Sequence, residues 1–295
     1  MADITAALVK ELREQTGVGM MECKKALQET DGDLDAAVEL MRKTGQAKAA
    51  KKAGRVAAEG AVTVRHAADG KTVAMVEVNS ETDFVSKRQE FQDFAAAVAD
   101  LVLARRPADM AELLSLPLEG DHSVDQVRQD LVAKIGENIQ VRRFSLNSTE
   151  QGILNSYVHH GGRIGAVVEL EGGDAELAKD IAMHVAASKP LCVSADQVPA
   201  ELLDKEREIY TAQAADSGKP ANIVAKMVDG RIGKYLKEIT LLGQPFVKDP
   251  ERSIEQLANA AKARIVSFER FELGEGLEKK SDNFADEVMA QIRGG

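Results

Sequence analysis

Apolar residues recur every three or four positions over residues 1–45, a spacing typical of short amphipathic helices. Breaks at Gly17-Val18-Gly19 and Asp31-Gly32-Asp33 divide this stretch into three predicted helices. Their apolar positions are Ile4, Leu8, Leu12, Met20, Met21, Leu27, Leu34, Val38 and Met41. So small a module has little core, and we expect it to act by docking against something else. The Ala/Lys-rich residues 46–55 are predicted to be a linker, which ends a first domain at residues 1–55.

The pattern changes to alternation at Ala61, where Val62 and Val64 share one face of a predicted strand. An Asp69-Gly70 turn signal leads into a second strand at residues 73–78. Two helices and a further strand follow, with apolar positions at Phe91, Phe94, Val98 and Leu101, at Val124, Val127, Leu131 and Ile135, and at Ile139 and Val141. We therefore predict an α+β domain over residues 56–147.

A second α+β domain with a similar order of elements is predicted over residues 148–275. A strand pair surrounds Gly161-Gly162, and a helix carrying Leu177, Ile181 and Val185 follows it. The three predicted strands lie at residues 153–158, 163–170 and 265–273.

An antiparallel helical hairpin is predicted to be inserted in this domain at about residues 199–235, around a turn at residues 217–220. Both of its helices carry apolar residues that a pair of helices buries only in part. The hairpin is therefore expected either to dock or dimerise with another chain or to pack on its own body.

Charge and composition narrow the classes of partner. The 295 residues include 38 Lys and Arg against 48 Asp and Glu, a formal net charge of -10. Because nucleic-acid backbones bind cationic surfaces, we expect a protein partner and no direct nucleic-acid binding. No apolar run approaches the roughly 20 residues of a membrane span, and the start of the chain lacks an export signal, so we expect no membrane association and a cytoplasmic location.

Motifs for covalent or cofactor chemistry are missing from the sequence. Residues 217–220 resemble the end of a phosphate-binding loop, but Gln213 stands where that loop has a glycine and Pro220 where it has Ser or Thr. His159 and His160 are neighbours on a predicted strand and should face opposite ways, which disfavours a shared metal ion. Cys23 and Cys192 have no metal-spaced partners. We predict no catalytic residue, no metal and no cofactor, and a protein that is not an enzyme.

Residues 77–87 lead from an apolar strand through a polar turn into a helix. Thr82 and Asp83 suit the cap of that helix, and Phe84 can fold back on Phe91 and Phe94 as a hydrophobic staple. Local physics alone favours this structural explanation.

A resemblance to a known family changes the interpretation. The run Glu77-Val78-Asn79-Ser80-Glu81-Thr82-Asp83-Phe84-Val85-Ser86-Lys87 resembles the second sequence signature of the elongation factor Ts family at every position. The run Leu12-Arg13-Glu14-Gln15-Thr16-Gly17-Val18-Gly19-Met20-Met21-Glu22-Cys23-Lys24-Lys25-Ala26-Leu27 is similar to the first signature. Further similar stretches are residues 51–54, 157–165, 184–190, 243–247 and 270–271.

The fold that this resemblance implies has four parts. They are an N-terminal three-helix module like ubiquitin-associated domains, a core of two related α+β subdomains, the inserted helical hairpin, and a short C-terminal helix in residues 276–295. Phe284, Val288 and Ile292 suit that last helix.

The resemblance also implies a guanine-nucleotide exchange factor that binds elongation factor Tu in its GDP-bound and nucleotide-free forms. GDP release would let GTP load during translation elongation. Thr82, Asp83, Phe84 and Val85 are then expected to bind the partner and disturb its magnesium and phosphate site. Since magnesium neutralises the diphosphate, disturbing its coordination weakens the hold on GDP.

Further partner contacts are expected from the same resemblance. A histidine before Gly161-Gly162 matches a second core contact; His159 is the expected residue, His160 is the alternative, and Gly162 is a further candidate for partner binding. The N-terminal module and linker contribute Leu12, Met20, Met21, Lys51 and Lys52. A binding module of another kind, such as a chaperone-like or ribosome-associated adaptor, is the alternative function, and a homodimer through the hairpin is left open.

Overall fold

The structure, a computed structural model, describes residues 4–215 and 220–277. Residues 4–63, 76–144 and 273–277 form one compact unit, and residues 64–75, 145–215 and 220–272 form a second. Runs of helices and small separate sheets follow one another along the chain, so the predicted α+β class is confirmed. The predicted division into four domains stays a prediction.

Three helices open the chain, as predicted: α1 (Ala6–Thr16), α2 (Met20–Glu29) and α3 (Leu34–Lys52). Thr5 caps α1 by accepting from the Leu8 amide, and Asp33 caps α3 by accepting from the Ala36 amide. The buried residues of this small core are Val9, Leu12, Cys23, Ala26, Leu27 and Ala37.

The predicted linker is wrong, because α3 continues through residues 46–52 to Lys52. Alanine and lysine are strong helix formers, so the composition that suggested a linker supports a helix. The C-terminal half of α3 packs closely on the helix at residues 124–135: a Cβ atom at Gly45 would lie 3.1 Å from that of Ala133. The Lys52 ammonium donates to the Gly136 carbonyl at the end of the same helix.

The first sheet has the strand order β1-β2-β5. The chain from the first to the last of these strands contains β1 (Glu59–His66), β2 (Thr72–Ser80), α4 (Asp83–Ser86), α5 (Gln89–Arg105), α6 (Met110–Ser115), β3 (Pro117–Glu119), β4 (His122–Ser123), α7 (Val124–Ile135) and β5 (Ile139–Ser148). The strands β3 and β4 pair with each other in a separate two-stranded sheet. Every residue of β2 is buried, and Phe91, Phe94 and Val98 of α5 are buried as well. The strand that leads to Thr82 is therefore fixed along its whole length.

The second sheet is antiparallel and has the order β10-β7-β6. Its unit contains β6 (Ile153–His159), β7 (Ile164–Glu171), α8 (Ala175–Ser188), α9 (Ala200–Ala215), α10 (Ala221–Ile239), β8 (Pro245–Phe246), β9 (Asp249–Ser253), α11 (Ile254–Ala260) and β10 (Arg264–Glu272). Val168 of β7 pairs with Asn155 and with Phe268 on either side. The predicted strand pair and closing strand are confirmed.

The predicted hairpin helices are confirmed as α9 and α10, and residues 216–219 between them lie outside the described residues. Ala214, Val228 and Ile232 form a small core between the two helices. Ile209 and Ile223 stay exposed. The hairpin thus buries part of its apolar surface itself, and the homodimer remains a prediction.

Two stretches that resemble the family meet in the second unit. The buried His184 ring accepts from the Val247 amide through Nδ1 (3.2 Å), and its Nε2 lies 3.0 Å from Oε1 of Gln244. Gln244 in turn donates to the Glu238 carbonyl at 2.8 Å. Burial lowers the pKa of His184, which favours the neutral ring that this arrangement needs. These residues lock α8 to the chain after α10.

Two further predictions concern the chain as a whole. The predicted C-terminal helix with Phe284, Val288 and Ile292 lies outside the described residues. Among the helices of residues 4–215 and 220–277, none combines the length and apolar character that crossing a bilayer requires.

The turn between α1 and α2 gives a test of the N-terminal module. Gly17 ends α1 in the left-handed region (φ 66°), and a Cβ atom there would lie 2.7 Å from Cε of Lys134. We expect Gly17→Ala to destabilise the module by about 1 kcal/mol, measured by chemical denaturation, because alanine disfavours that backbone conformation. Gly54→Ala is the matched control, since no atom lies within 4 Å of its Cβ position. Equal effects of the two substitutions would contradict this account.

Candidate functional site

The segment Thr82–Val85 begins where the buried strand β2 ends. Thr82 occupies the N-cap position of α4, but its side chain makes no cap hydrogen bond. Instead its hydroxyl and amide donate to the two carboxylate oxygens of Glu137, at 2.8 and 3.0 Å. The predicted capping role of the Thr82 side chain is wrong, because a residue 55 positions away takes its hydroxyl.

Phe84 exposes 77% of its surface, while Phe91 and Phe94 are buried in the core. The predicted staple is therefore wrong. Val85 is buried instead, so this one-turn helix is anchored by Val85 and presents Phe84 to solvent. An exposed large aromatic side chain on a fixed backbone is typical of a contact surface for another molecule.

Charged groups flank the exposed ring. Asp83 is half-buried, and its carboxylate lies 2.6 Å from the Lys87 ammonium. That ammonium in turn lies 5.8 Å from the centroid of the Phe84 ring. The surface of α4 thus combines an aromatic ring, a carboxylate and a cation within one helical turn.

A buried carboxylate fixes the strand below this surface. Glu77 of β2 has no exposed side-chain surface and accepts from Arg142 (3.0 Å) and Arg143 (2.6 Å) of β5. The Gly274 amide donates to it at 2.9 Å, and Asn79 donates at 3.1 Å. Burial alone would raise the pKa of Glu77, but these four donors together lower it below its usual value.

The second predicted contact lies at the end of β6. Nδ1 of His159 lies 2.9 Å from the Tyr157 hydroxyl, and His160 begins a single 3-10 turn that ends at Gly162. His160 has a φ of 43°, and the ring centroids of His159 and His160 are 4.1 Å apart. The prediction that the two rings face opposite ways is wrong, because His160 has left the strand.

The same turn sets the backbone of Gly162 and the exposure of His160. Gly162 is buried with a φ of 94°, so it shapes the turn, and His160 is exposed. Within residues 4–215 and 220–277, no three His, Cys, Asp or Glu side chains are grouped as metal ligands.

The predicted docking residues of the N-terminal module differ in accessibility. Met20 and Met21 at the start of α2 expose 58% and 77% of their surface. Leu12 is fully buried in the core of the module, so its side chain is not accessible to a partner. Lys51 is exposed, whereas Lys52 is half-buried and bonded to the end of α7.

Sequence reasoning missed the residues that support Thr82. Glu137 lies in the short connection between α7 and β5, which also contains Asn138. The polar Glu137-Asn138 pair directly after Gly136 was the only local signal, and a polar pair after a helix end is ordinary loop composition. Its contact with Thr82 depends on the long-range pairing of β2 with β5.

The fold and these residues define a mixed α+β protein that exposes an aromatic side chain and a methionine pair on its surface. The family model described as "Elongation factor TS" matches residues 81–275. The chain is 61% identical over 291 residues to "Elongation factor Ts" of Thioalkalivibrio sulfidiphilus (strain HL-EbGR7), covering 99% of both chains. It is 55% identical over 293 residues to "Elongation factor Ts" of Legionella pneumophila (strain Lens), covering 99% of this chain and 100% of that protein. The chain belongs to the elongation factor Ts family.

The buried carboxylate below the site can be tested by Glu77→Gln. We expect a loss of about 3 kcal/mol in the free energy of unfolding at pH 7, because the neutral amide removes the buried negative charge that both arginines contact. A lowered pKa means that the carboxylate stabilises the fold above roughly pH 4.3 and that this contribution is lost as pH falls through the folded-state pKa. The difference between parent and variant should therefore shrink in acid.

Glu171→Gln is the control for this substitution. It removes an exposed ion pair with Arg264, at 2.6 Å, and exposed pairs contribute less than about 1 kcal/mol. Denaturant titrations of the three proteins at several pH values make the measurement. An equal loss from both substitutions would show that burial of Glu77 does not matter.

Proposed function

We propose that this chain releases GDP from elongation factor Tu by pressing Asp83 and Phe84 against the partner's nucleotide site. Family membership implies nucleotide exchange on elongation factor Tu in translation elongation. The single observation that supports the proposed mechanism is the exposure of Phe84 on a turn that directly follows a fully buried strand. A bulky ring held in place can separate packed elements of a partner, because packed interfaces switch between discrete arrangements.

Asp83 supplies the electrostatic part of the proposal. A carboxylate brought near a magnesium–diphosphate site favours rearrangement of the cation's oxygen ligands and repels the phosphates. Thr82 and Val85 contribute by fixing the segment at either end. No covalent step is needed, since exchange only requires that bound GDP dissociates.

The remaining predicted contacts serve docking in this proposal. Met20 and Met21 offer an adaptable apolar surface. Lys51 steers association with an acidic partner surface, whereas Leu12 and Lys52 support the helices that carry the exposed residues. Either His159 or the more exposed His160 makes the second contact, from the turn that Gly162 shapes.

Binding must be reciprocal. If the factor weakens GDP binding to elongation factor Tu, GDP weakens binding of the factor by the same free energy. The factor therefore binds both the GDP-bound and the nucleotide-free partner and prefers the latter. The nucleotide supply then sets the direction of exchange.

The hairpin of α9 and α10 is a proposed homodimer contact through the exposed Ile209 and Ile223. Light scattering of the pure chain is expected to give twice the monomer mass. A monomer mass at micromolar concentration would remove the dimer from the proposal and leave the exchange function untouched.

The central test is release of labelled GDP from elongation factor Tu with catalytic amounts of this chain. Phe84→Ala should slow release roughly thirtyfold, the effect of losing an interface residue worth about 2 kcal/mol. Leu191→Ala is the control, because Leu191 is also exposed and lies outside the predicted contacts. Circular dichroism should show an intact fold, since Phe84 contributes little to the core. No acceleration by the parent, or full activity of Phe84→Ala, would refute the mechanism.

A further inference from the structure

We infer that Glu137 is a positioning residue for exchange, which acts by holding the Thr82 end of the segment that carries Phe84. This inference rests on the proposed function. Both carboxylate oxygens of Glu137 are used, Oε1 by the Thr82 hydroxyl at 2.8 Å and Oε2 by the Thr82 amide at 3.0 Å. Hydrogen bonds to an ionised acceptor are about twice as strong as neutral ones.

A second hydrogen bond joins the loop at residues 81–82 to the loop at residues 136–138. Oε1 of Glu81 accepts from the Asn138 amide at 2.6 Å. The Asn138 side chain donates to the Arg55 carbonyl at 2.7 Å, so the loop is also fastened on its other side. Each of two neighbouring carboxylates thus binds the backbone of the opposite loop, which fixes the loops in one register.

These hydrogen bonds between the two loops matter because α4 is too short to be stable on its own. A helix of four residues is far below the length at which helices are stable alone. Val85 anchors its middle by burial, whereas Phe84 has most of its surface in solvent. At the start of the helix, the two bonds to Glu137 fix the hydroxyl and the amide of the N-cap residue Thr82, while the Ser80 hydroxyl donates to the Thr82 carbonyl at 2.9 Å. A ring that is already oriented loses less conformational entropy on insertion, and that saving lowers the barrier to GDP release.

The test compares Glu137→Ala, Glu137→Gln and the control Glu150→Ala in the GDP-release assay. Glu150 is an exposed carboxylate elsewhere on the chain, so the control removes the same charge. We expect Glu137→Ala to lower the maximal release rate at saturating factor roughly tenfold, with little change in the half-saturating concentration. Glu137→Gln should lose less, since its amide oxygen still accepts one bond. Glu150→Ala should match the parent.

A double-mutant cycle with Phe84→Ala separates positioning from other roles. If Glu137 acts through Phe84, Glu137→Ala slows release in the parent but not in the Phe84→Ala background. Equal slowing in both backgrounds, a changed half-saturating concentration alone, or full activity of Glu137→Ala would each overturn the inference. Full activity of Phe84→Ala would instead refute the proposed function itself.

Thr82→Val tests the same inference from the other partner of the hydrogen bond. It removes only the hydroxyl bond and leaves the Glu137 side chain in place. We expect it to slow release by a smaller factor than Glu137→Ala, and to add nothing to that variant when the two are combined. Thermal unfolding of each variant identifies any that fails to fold, and Thr82→Val then decides the inference. A fully active, folded Thr82→Val would overturn it.

Discussion

The ion cluster around Glu77 is the interaction on which the site depends. A carboxylate with no exposed surface is costly to bury, and here Arg142, Arg143 and the Gly274 amide offset that cost. These donors come from a neighbouring strand and from the chain after β10, so one group fastens three stretches of the first unit. Because β2 continues from Glu77 to Ser80, two residues before Thr82, the cluster fixes the strand from which the exposed segment starts.

Rigid support and exposure are combined at the end of that strand. The bonds between Thr82 and Glu137 hold the backbone, and burial of Val85 holds the turn, while Phe84 remains in solvent. An apolar ring that is kept out of the core contributes little to stability and keeps its contact area for a partner. In the exchange mechanism that we propose, the exposed surface of the Phe84 ring contacts elongation factor Tu.

The N-terminal module shows the same dependence on long-range contacts. Its core is too small to make it robust alone, but α3 extends beyond that core and packs on α7. The close approach at Gly45 and the Lys52 bond to Gly136 hold the module to α7 of the same unit. Met20 and Met21 are therefore exposed on a module whose position on α7 is fixed.

The sequence by itself determined the three N-terminal helices, the strand pair after residue 152, the hairpin helices and the family, because periodicity, breakers and long motifs are local properties. It could not determine that Phe84 lies outside the core, that Thr82 bonds to Glu137, or that His160 leaves the strand. Each of these depends on which distant side chains the packed strands bring together. Only the tertiary structure therefore separated the residues that hold the site from the residue that it presents.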